Sequence, residues 1–325
     1  MDQRWICRDY KNGDESHIIR LFNQVFLQEM SLSLWRWRFS DNPYGKAIIK
    51  LMFDADKLIG HYAVIPATIQ VVGEPVKAVF SMTTMTHPDY SGRGIFTFLA
   101  EEVYQSCIKQ GFSFVYGFPN DNSYPGFTRK LGWEGLGKTV TLQKVLPERP
   151  GNRPIMPDIQ SVERFDRKVD LLWDKVKNDY PVTVPRVEKY LNWRFSQNPD
   201  VHYQKYVISN QSRQMVGYAV LKEYIHSDAK KGHIVDMLSV NNDEVIRTLV
   251  RHSCAYFQSR QISDISGWFP ADSRYRRVME EEGFKAGKAG QNFGVRVFDK
   301  AGSLTNIVGG SLNNWYLTMG DSDVF

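Results

Sequence analysis

A chain of 325 residues exceeds what one compact core usually needs, because single domains run to about 100–200 residues, so two domains are expected. Hydrophobic residues at 42% and charged residues at 24% fit a folded soluble protein and leave no like-charge block or low-complexity tract to argue for disorder. A net charge of +5 suits an anionic partner such as a nucleotide or a phosphorylated cofactor but is too mild to argue for nucleic acid, and no apolar run approaches the ~18 residues of a membrane span.

Taken in chain order, residues 4–8 read as a short strand and Glu15–Phe26 as an amphipathic helix with apolar residues at helical spacing. Residues 47–54 and 58–72 read as two strands joined by a turn at 55–57, and residues 76–87 as a third long strand. A helix over 94–110, a buried strand over 114–118 and a short helix over 124–131 follow, which makes the pattern mixed α/β. Residues 146–160 carry four prolines and little periodicity and read as a linker, with the domain boundary near residue 155. The expected domains are therefore 1–150 and 156–325.

The chain repeats itself. Trp37-Arg38-Phe39-Ser40-Asp41-Asn42-Pro43 recurs as Trp193-Arg194-Phe195-Ser196-Gln197-Asn198-Pro199, and Ile59-Gly60-His61-Tyr62-Ala63-Val64 is echoed by Val216-Gly217-Tyr218-Ala219-Val220. A weaker echo pairs Gly132-Trp133 with Gly283-Phe284, each a helix ending at glycine before an aromatic. Two matches in register imply a duplication. Because the W-R-F element recurs in both copies, a structural role at a strand start is expected for it.

Residues 81–96 form a strand that ends at Pro88 and turns through Ser91-Gly92-Arg93-Gly94 into a helix. Gly92 and Gly94 permit backbone conformations closed to other residues, so successive N–H groups could converge on a phosphate at the positive end of the helix dipole, with Arg93 adding a full charge. Ile95 and Phe96 open the apolar face that packs this helix on the sheet. The second copy has Asn241-Asn242-Asp243-Glu244 in the corresponding place, with no glycine loop and with negative charge where a diphosphate would sit. The second half is thus expected not to bind the cofactor and to complete an acceptor pocket.

The segment His87-Pro88-Asp89-Tyr90-Ser91-Gly92-Arg93-Gly94-Ile95-Phe96 resembles the pyrophosphate-binding loop of the GNAT superfamily of acyl-CoA-dependent N-acyltransferases, whose signature reads Q/R-x-x-G-x-G/A. Serine stands at the first signature position and phenylalanine at the last. Asn120-Asp121-Asn122 and Arg129-Lys130-Leu131-Gly132-Trp133 resemble the asparagine and the terminal turn of the same family. The resemblance covers residues 1–145 by motif and the rest through the repeat. It implies two tandem domains of this fold, the second degenerate, with acyl-CoA as co-substrate and no metal. It also implies that Thr84, Met85 and Thr86 lie where a strand splays to pair with the pantetheine arm, and that Asn122 lies at the cofactor.

Direct attack of an amine on the thioester calls for a base and an acid. The family's acid is a tyrosine at the position held here by Thr128, so Tyr124, one turn earlier, is the substitute, the alternative being an aromatic that packs on the core. His87 is the candidate base, the alternative being a solvent-exposed histidine at a strand end; Asp89 and His61 are weaker candidates. Trp37, Arg38 and, in the tail 315–323, Asp321 are candidate acceptor contacts, the tail's alternative being a docked C-terminal strand.

The charged N-terminal segment lacks the apolar core of a signal peptide, so a cytoplasmic enzyme is expected. Cys7, Cys107 and Cys254 have no metal-ligand spacing. The expected partner is a small-molecule amine, by architecture and resemblance the amino group of a nucleotide-linked deoxyamino sugar, without nucleic acid or membrane insertion and with a homodimer left open. An aminoglycoside, polyamine or protein amine is the second reading, and a non-catalytic acyl-CoA-binding module the third.

Overall fold

A computed structural model describes residues 5–147, 159–226, 229–299 and 302–325. The expected boundary near residue 155 lies outside the described residues. The chain forms two compact units: one from residues up to Ile69, Glu74–Gly137 and Asn292–Gly310, the other from Gln70–Gly73, Lys138–Gln291 and Ser311–Phe325. Among the described residues no helix is long and apolar enough to cross a membrane.

The first half of the chain gives β1 (Trp5–Asp9), α1 (Glu15–Phe26), α2 (Leu32–Phe39), β2 (Ile48–Asp54), β3 (Lys57–Val71), β4 (Glu74–Thr86), α3 (Ile95–Lys109), β5 (Phe114–Gly117), α4 (Tyr124–Lys130) and β6 (Glu134–Val145). Helix α1 begins where Arg8 grips Asp14 through two hydrogen bonds of 2.7 and 2.8 Å, and it stops at Leu27, whose φ is 53°. It buries Ile18, Leu21 and Phe22, each side chain stabilising the fold by about 1.5–3 kcal/mol relative to exposure. Ser31 caps α2 by accepting the Leu34 N–H.

The W-R-F segment corrects the sequence reading: it lies at the end of a helix in both copies, not at a strand start. Trp35, Trp37 and Phe39 alternate with arginines and so mimic the period of a strand, but the short helix buries all three because it is covered on more than one side.

In the first unit the strand order is β1-β2-β3-β4-β5, with β4 and β5 parallel. The order closes on residues 294–297 of β13 (Lys285–Val297), a strand that begins in the second unit. The core holds Met52, Ile59, Tyr62, Val64 and Val79 from the sheet and Ile95, Leu99, Ala100, Val103 and Tyr104 from α3.

The second unit contains β7 (Ile159–Ser161), α5 (Lys168–Val176), β8 (Val182–Thr183), α6 (Glu188–Ser196), β9 (Gln204–Ser209), β10 (Met215–His226), β11 (Ala229–Ser239), α7 (Asp243–Ser259), β12 (Asp264–Trp268) and α8 (Arg274–Glu281). Its strands run β6-β12-β11-β10-β9-β7, with β11 and β12 parallel as β4 and β5 are. After β13 come α9 (Leu304–Val308) and β14 (Trp315–Tyr316).

The repeated glycines have a common physical reason. A Cβ on Gly60 would sit 2.4 Å from Ile95 of α3, and one on Gly217 would sit 3.1 Å from Leu249 of α7. Each glycine lets a helix lie close on its strand, a demand that recurs because the packing recurs. Gly132 and Gly283 likewise share positive φ values of 62° and 88° where α4 and α8 end.

Candidate active site

Strands β4 and β5 pair from Ala78↔Phe114 to Ser81↔Gly117, after which β4 continues to Thr86 without that partner. Backbone groups along one edge of residues 82–86 are therefore left open. Thr83 has φ of 54°, an outlier for a β-branched residue, so the strand is bent just past its last pairing with β5. Thr84 and Thr86 are half-buried and Met85 is buried.

Two side chains hold the bend. His61 of β3 donates from Nδ1 to the Thr83 carbonyl at 2.8 Å, and Arg38 Nη1 donates to Thr83 Oγ1 at 3.3 Å. A carbonyl only accepts, so the proton of the neutral imidazole is on Nδ1, and Nε2 is buried without a partner among the described residues. Burial pushes the His61 pKa down to about 4.

Beyond β4 the chain makes a helical turn over Pro88–Tyr90 and enters the glycine loop. Ser91, Gly92, Arg93 and Gly94 are all exposed, with φ of 76° at Gly92 and 80° at Gly94. The first helical bond of α3 runs from the Phe98 N–H to the Gly94 carbonyl. The N–H groups of Gly92 through Thr97 have no protein acceptor among the described residues. A Cβ placed on Gly92 would meet nothing within 4 Å, so the space above the loop is open. Three observations thus fit a diphosphate: unspent donors, the positive end of a 15-residue helix, and room for an anion.

The loop is braced from below. Tyr90 donates its hydroxyl to Asp54 at 2.8 Å and lies beneath the Arg93 guanidinium, which is 5.3 Å from the ring centroid. Arg93 also donates to the Asp89 carbonyl at 3.1 Å, and the Asp89 carboxylate lies 3.7 Å from Lys57. Behind it runs a buried chain of hydrogen bonds: Tyr62 OH meets Ser81 Oγ at 2.8 Å and Tyr104 OH at 2.7 Å, and Trp133 Nε1 donates to Tyr104 OH at 2.8 Å. This network joins β3, β4, α3 and the turn after α4. Nothing local in the sequence announces it.

The candidate catalytic residues fare differently. His87 is buried at 4% exposure, not at a solvent-facing strand end, and its Nδ1 accepts the Asp89 N–H at 3.3 Å to cap the turn. Burial and the nearby Lys57 lower its pKa, and Asp89 works against them. Tyr124 opens α4 half-buried, its ring over Gly135, where an added Cβ would clash with the hydroxyl. Its hydroxyl has no protein partner among the described residues, while Thr128 donates to the Tyr124 carbonyl. Asn122 is exposed; the turn before α4 is shaped by Asn120, whose side-chain oxygen accepts the Ser123 N–H and whose carbonyl accepts that of Tyr124. Trp37 is buried.

Phe96 stands where the family signature has a small residue, and Gly126 of α4 makes room for it. A Cβ on Gly126 would lie 2.7 Å from the Phe96 ring, which meets Phe127 edge-on at 5.0 Å.

In the second unit, Asp321 lies within the core. Its carboxylate takes a 2.6 Å bond from Arg186 and accepts the Thr318 N–H at 2.8 Å, and Arg186 also reaches Asp236 at 3.4 Å. Burial raises the Asp321 pKa, opposed by Arg186. Buried Arg194 binds the carbonyls of Gly320, Ser322 and Phe325, so the tail is docked. At the start of α7, Asp243 bridges Arg274 at 3.2 Å and Arg277 at 2.8 Å. The protein's own carboxylate sits where the first unit leaves its helix start exposed.

Residues 7–136 match the family model described as acetyltransferase (GNAT) domain. No curated protein sequence matches the chain. Among solved structures, a GCN5-related N-acetyltransferase from Anabaena variabilis is 14% identical, with TM-score 0.68 over 91% of this chain and 73% of that one. A probable N-acyltransferase from Enterococcus faecalis is also 14% identical, with TM-score 0.70 over 90% and 72%. N-myristoyltransferase from Saccharomyces cerevisiae with bound myristoyl-CoA is 10% identical, with TM-score 0.65 over 91% and 83%. At these identities the structures speak for the fold. Over residues 7–136 the chain carries a GNAT acetyltransferase domain, the domain of an acyl-CoA-dependent N-acyltransferase.

Proposed function

We propose that the protein transfers an acyl group from acyl-CoA to the amino group of a nucleotide-linked deoxyamino sugar by direct attack on the thioester. The observation that carries the acyl-CoA half of this reading is the exposed loop 91–94, with the unspent N–H groups of residues 92–97, beside a β4 edge uncovered past Ser81. Coenzyme A supplies an activated acyl group with a thiol as leaving group. The N–H groups of residues 92–97 and Arg93 hold the diphosphate. The open edge over Met82 to Thr86 binds the pantetheine amides, and one of its N–H groups stabilises the charge that develops on the thioester oxygen. Tyr124 keeps a proton on its uncommitted hydroxyl for the departing thiolate. His87, its Nδ1 spent on the turn, positions the loop.

The duplicated architecture and the net charge of +5 support the sugar nucleotide, whose phosphates are anionic. The test is thiol release from acetyl-CoA with a panel of dTDP- and UDP-linked amino sugars. Release with polyamines or peptides alone would move the acceptor. Release with no amine, despite intact coenzyme A binding, would leave a binding module.

A second reading changes the donor. The likeness to a myristoyl-CoA-bound enzyme across nine-tenths of this chain favours a long acyl group, and a series of acyl-CoA chain lengths separates the two.

A further inference from the structure

The two copies share a further run of sequence. Phe118-Pro119 followed by Asp121 and Tyr124 recurs at the same spacing as Phe269-Pro270 followed by Asp272 and Tyr275. An asparagine holds the aspartate in each: Asn292 donates to Asp121 at 2.9 Å and Asn313 to Asp272 at 2.6 Å. The same alignment continues without a gap through Gly132-Trp133 and Gly283-Phe284 into the first residues of β6 and β13. Gly135 of the first copy therefore corresponds to Ala286 of the second.

The two tyrosines end in different places. The Tyr275 hydroxyl accepts the Ser239 N–H at 2.8 Å. Ser239 stands in β11 as Thr86 stands in β4, because the next N–H, of Val240, binds the Val216 carbonyl as that of His87 binds Ile59, at 2.9 Å in each copy. Strand β11 pairs with β12 only as far as Ile234, so the Ser239 N–H lies on an edge like the one left open over residues 82–86. In the second unit a tyrosine of the protein's own has taken that edge.

In the first unit the Tyr124 hydroxyl lies over Gly135 instead, where an added Cβ would come within 1.8 Å of its oxygen. The φ of Gly135 is not positive, so what the missing side chain supplies there is room and not relief of backbone strain. Ala286 carries the Cβ that closes this room in the second copy.

We propose that Gly135 keeps the cofactor edge of β4 open by giving the Tyr124 hydroxyl a place over β6. With alanine at that position the hydroxyl moves to the Thr86 N–H, as Tyr275 does to Ser239, and the edge is closed to the pantetheine arm. The proposal rests on the reading of residues 82–86 as the edge that binds that arm. It gives a physical reason why a tyrosine present in both copies is compatible with the cofactor in the first alone.

Calorimetry on the full chain with acetyl-CoA tests this. Gly135→Ala should weaken binding roughly tenfold, about what breaking one hydrogen bond to admit the ligand costs. Adenosine 3′,5′-bisphosphate, which has no pantetheine arm, should bind the variant and the unaltered chain within about twofold of each other. Adding Tyr124→Phe to Gly135→Ala removes the hydroxyl that closes the edge and should restore acetyl-CoA binding to nearly the starting affinity. Gly135→Ala that binds acetyl-CoA as well as the unaltered chain overturns the proposal. So does a double variant that stays weak, or an equal loss for the bisphosphate, since either marks general damage to the site. An unaltered chain that binds no acetyl-CoA would overturn the cofactor reading itself, and the proposal with it.

Discussion

The imidazole of His61 donates to the carbonyl of Thr83, the residue at which β4 takes its left-handed turn. A β-branched residue at positive φ costs on the order of 1–3 kcal/mol and persists only where neighbours hold it. Here a buried neutral ring does so from the adjacent strand, and the bend falls two residues past Ser81, where pairing with β5 stops. The opening of the sheet is thus fastened at its base.

That fastening predicts a pH dependence. The folded pKa of His61, about 4, lies below the ordinary value of 6.5, so between these values the unfolded chain binds more protons than the folded one. Stability is intact above pH 6.5 and falls as pH drops towards 4, by on the order of 3 kcal/mol for this group at the low end. His233, also displaced to about 4, adds a parallel loss. Denaturant melts at pH 7 and pH 4.5 should therefore show a smaller drop for His61→Asn than for the unaltered protein. Equal drops would mean that His61 does not titrate as described.

The glycine loop makes a prediction in binding alone. Gly94→Val places a β-branched side chain at φ of 80° and fills the space over the α3 amides. The residue is exposed, so the cost to the fold should stay near 1–2 kcal/mol. Calorimetry should show coenzyme A affinity reduced by more than about tenfold, because the N–H groups of residues 92–97 lose their approach to an anion. Affinity unchanged within twofold would place the diphosphate elsewhere.

Phe96 and Gly126 should behave as a coupled pair. Gly126→Ala pushes a methyl group into the Phe96 ring and should destabilise by about 1–3 kcal/mol, the usual range for overpacking. Adding Phe96→Leu should recover part of that loss, read as a nonadditive shift in thermal unfolding. Strict additivity would mean that the ring moves aside at no cost.

Asp321 separates a structural role from a substrate role. Its removal leaves Arg186 buried with only the more distant Asp236, so Asp321→Ala should cost about 3–5 kcal/mol. A residue that merely touched an acceptor would instead raise KM and leave the melt unchanged.

What could be read from residues alone was what local pattern encodes. Helix α1 was legible to the residue because its apolar spacing is uninterrupted, and the loop 91–94 because two glycines in a strand-to-helix turn have few other uses. The W-R-F helices were not, since aromatics at every second position read as a strand. Pairings between distant residues left no local trace: His61 with Thr83, Phe96 with Gly126, and residues 294–297 beside β5. Asp321 and His87 looked functional because charge and basicity near a site draw attention, and sequence cannot show that a partner has already claimed them.

Tyr124 remains the side chain whose proton is uncommitted. Its hydroxyl has no protein partner among the described residues, its ring is fixed over Gly135, and it opens α4 as Phe127, three residues on, packs against Phe96 of α3. Removing only the oxygen therefore leaves the packing intact. Tyr124→Phe should lower kcat by roughly 100- to 1,000-fold, the lower part of the range for a lost general acid, with coenzyme A affinity and melting temperature unaltered. The deficit should shrink when the leaving group is a more acidic thiol, because a better leaving group needs less help from a proton. A full deficit with every thioester would assign Tyr124 to substrate placement, and unchanged turnover would remove it from the mechanism.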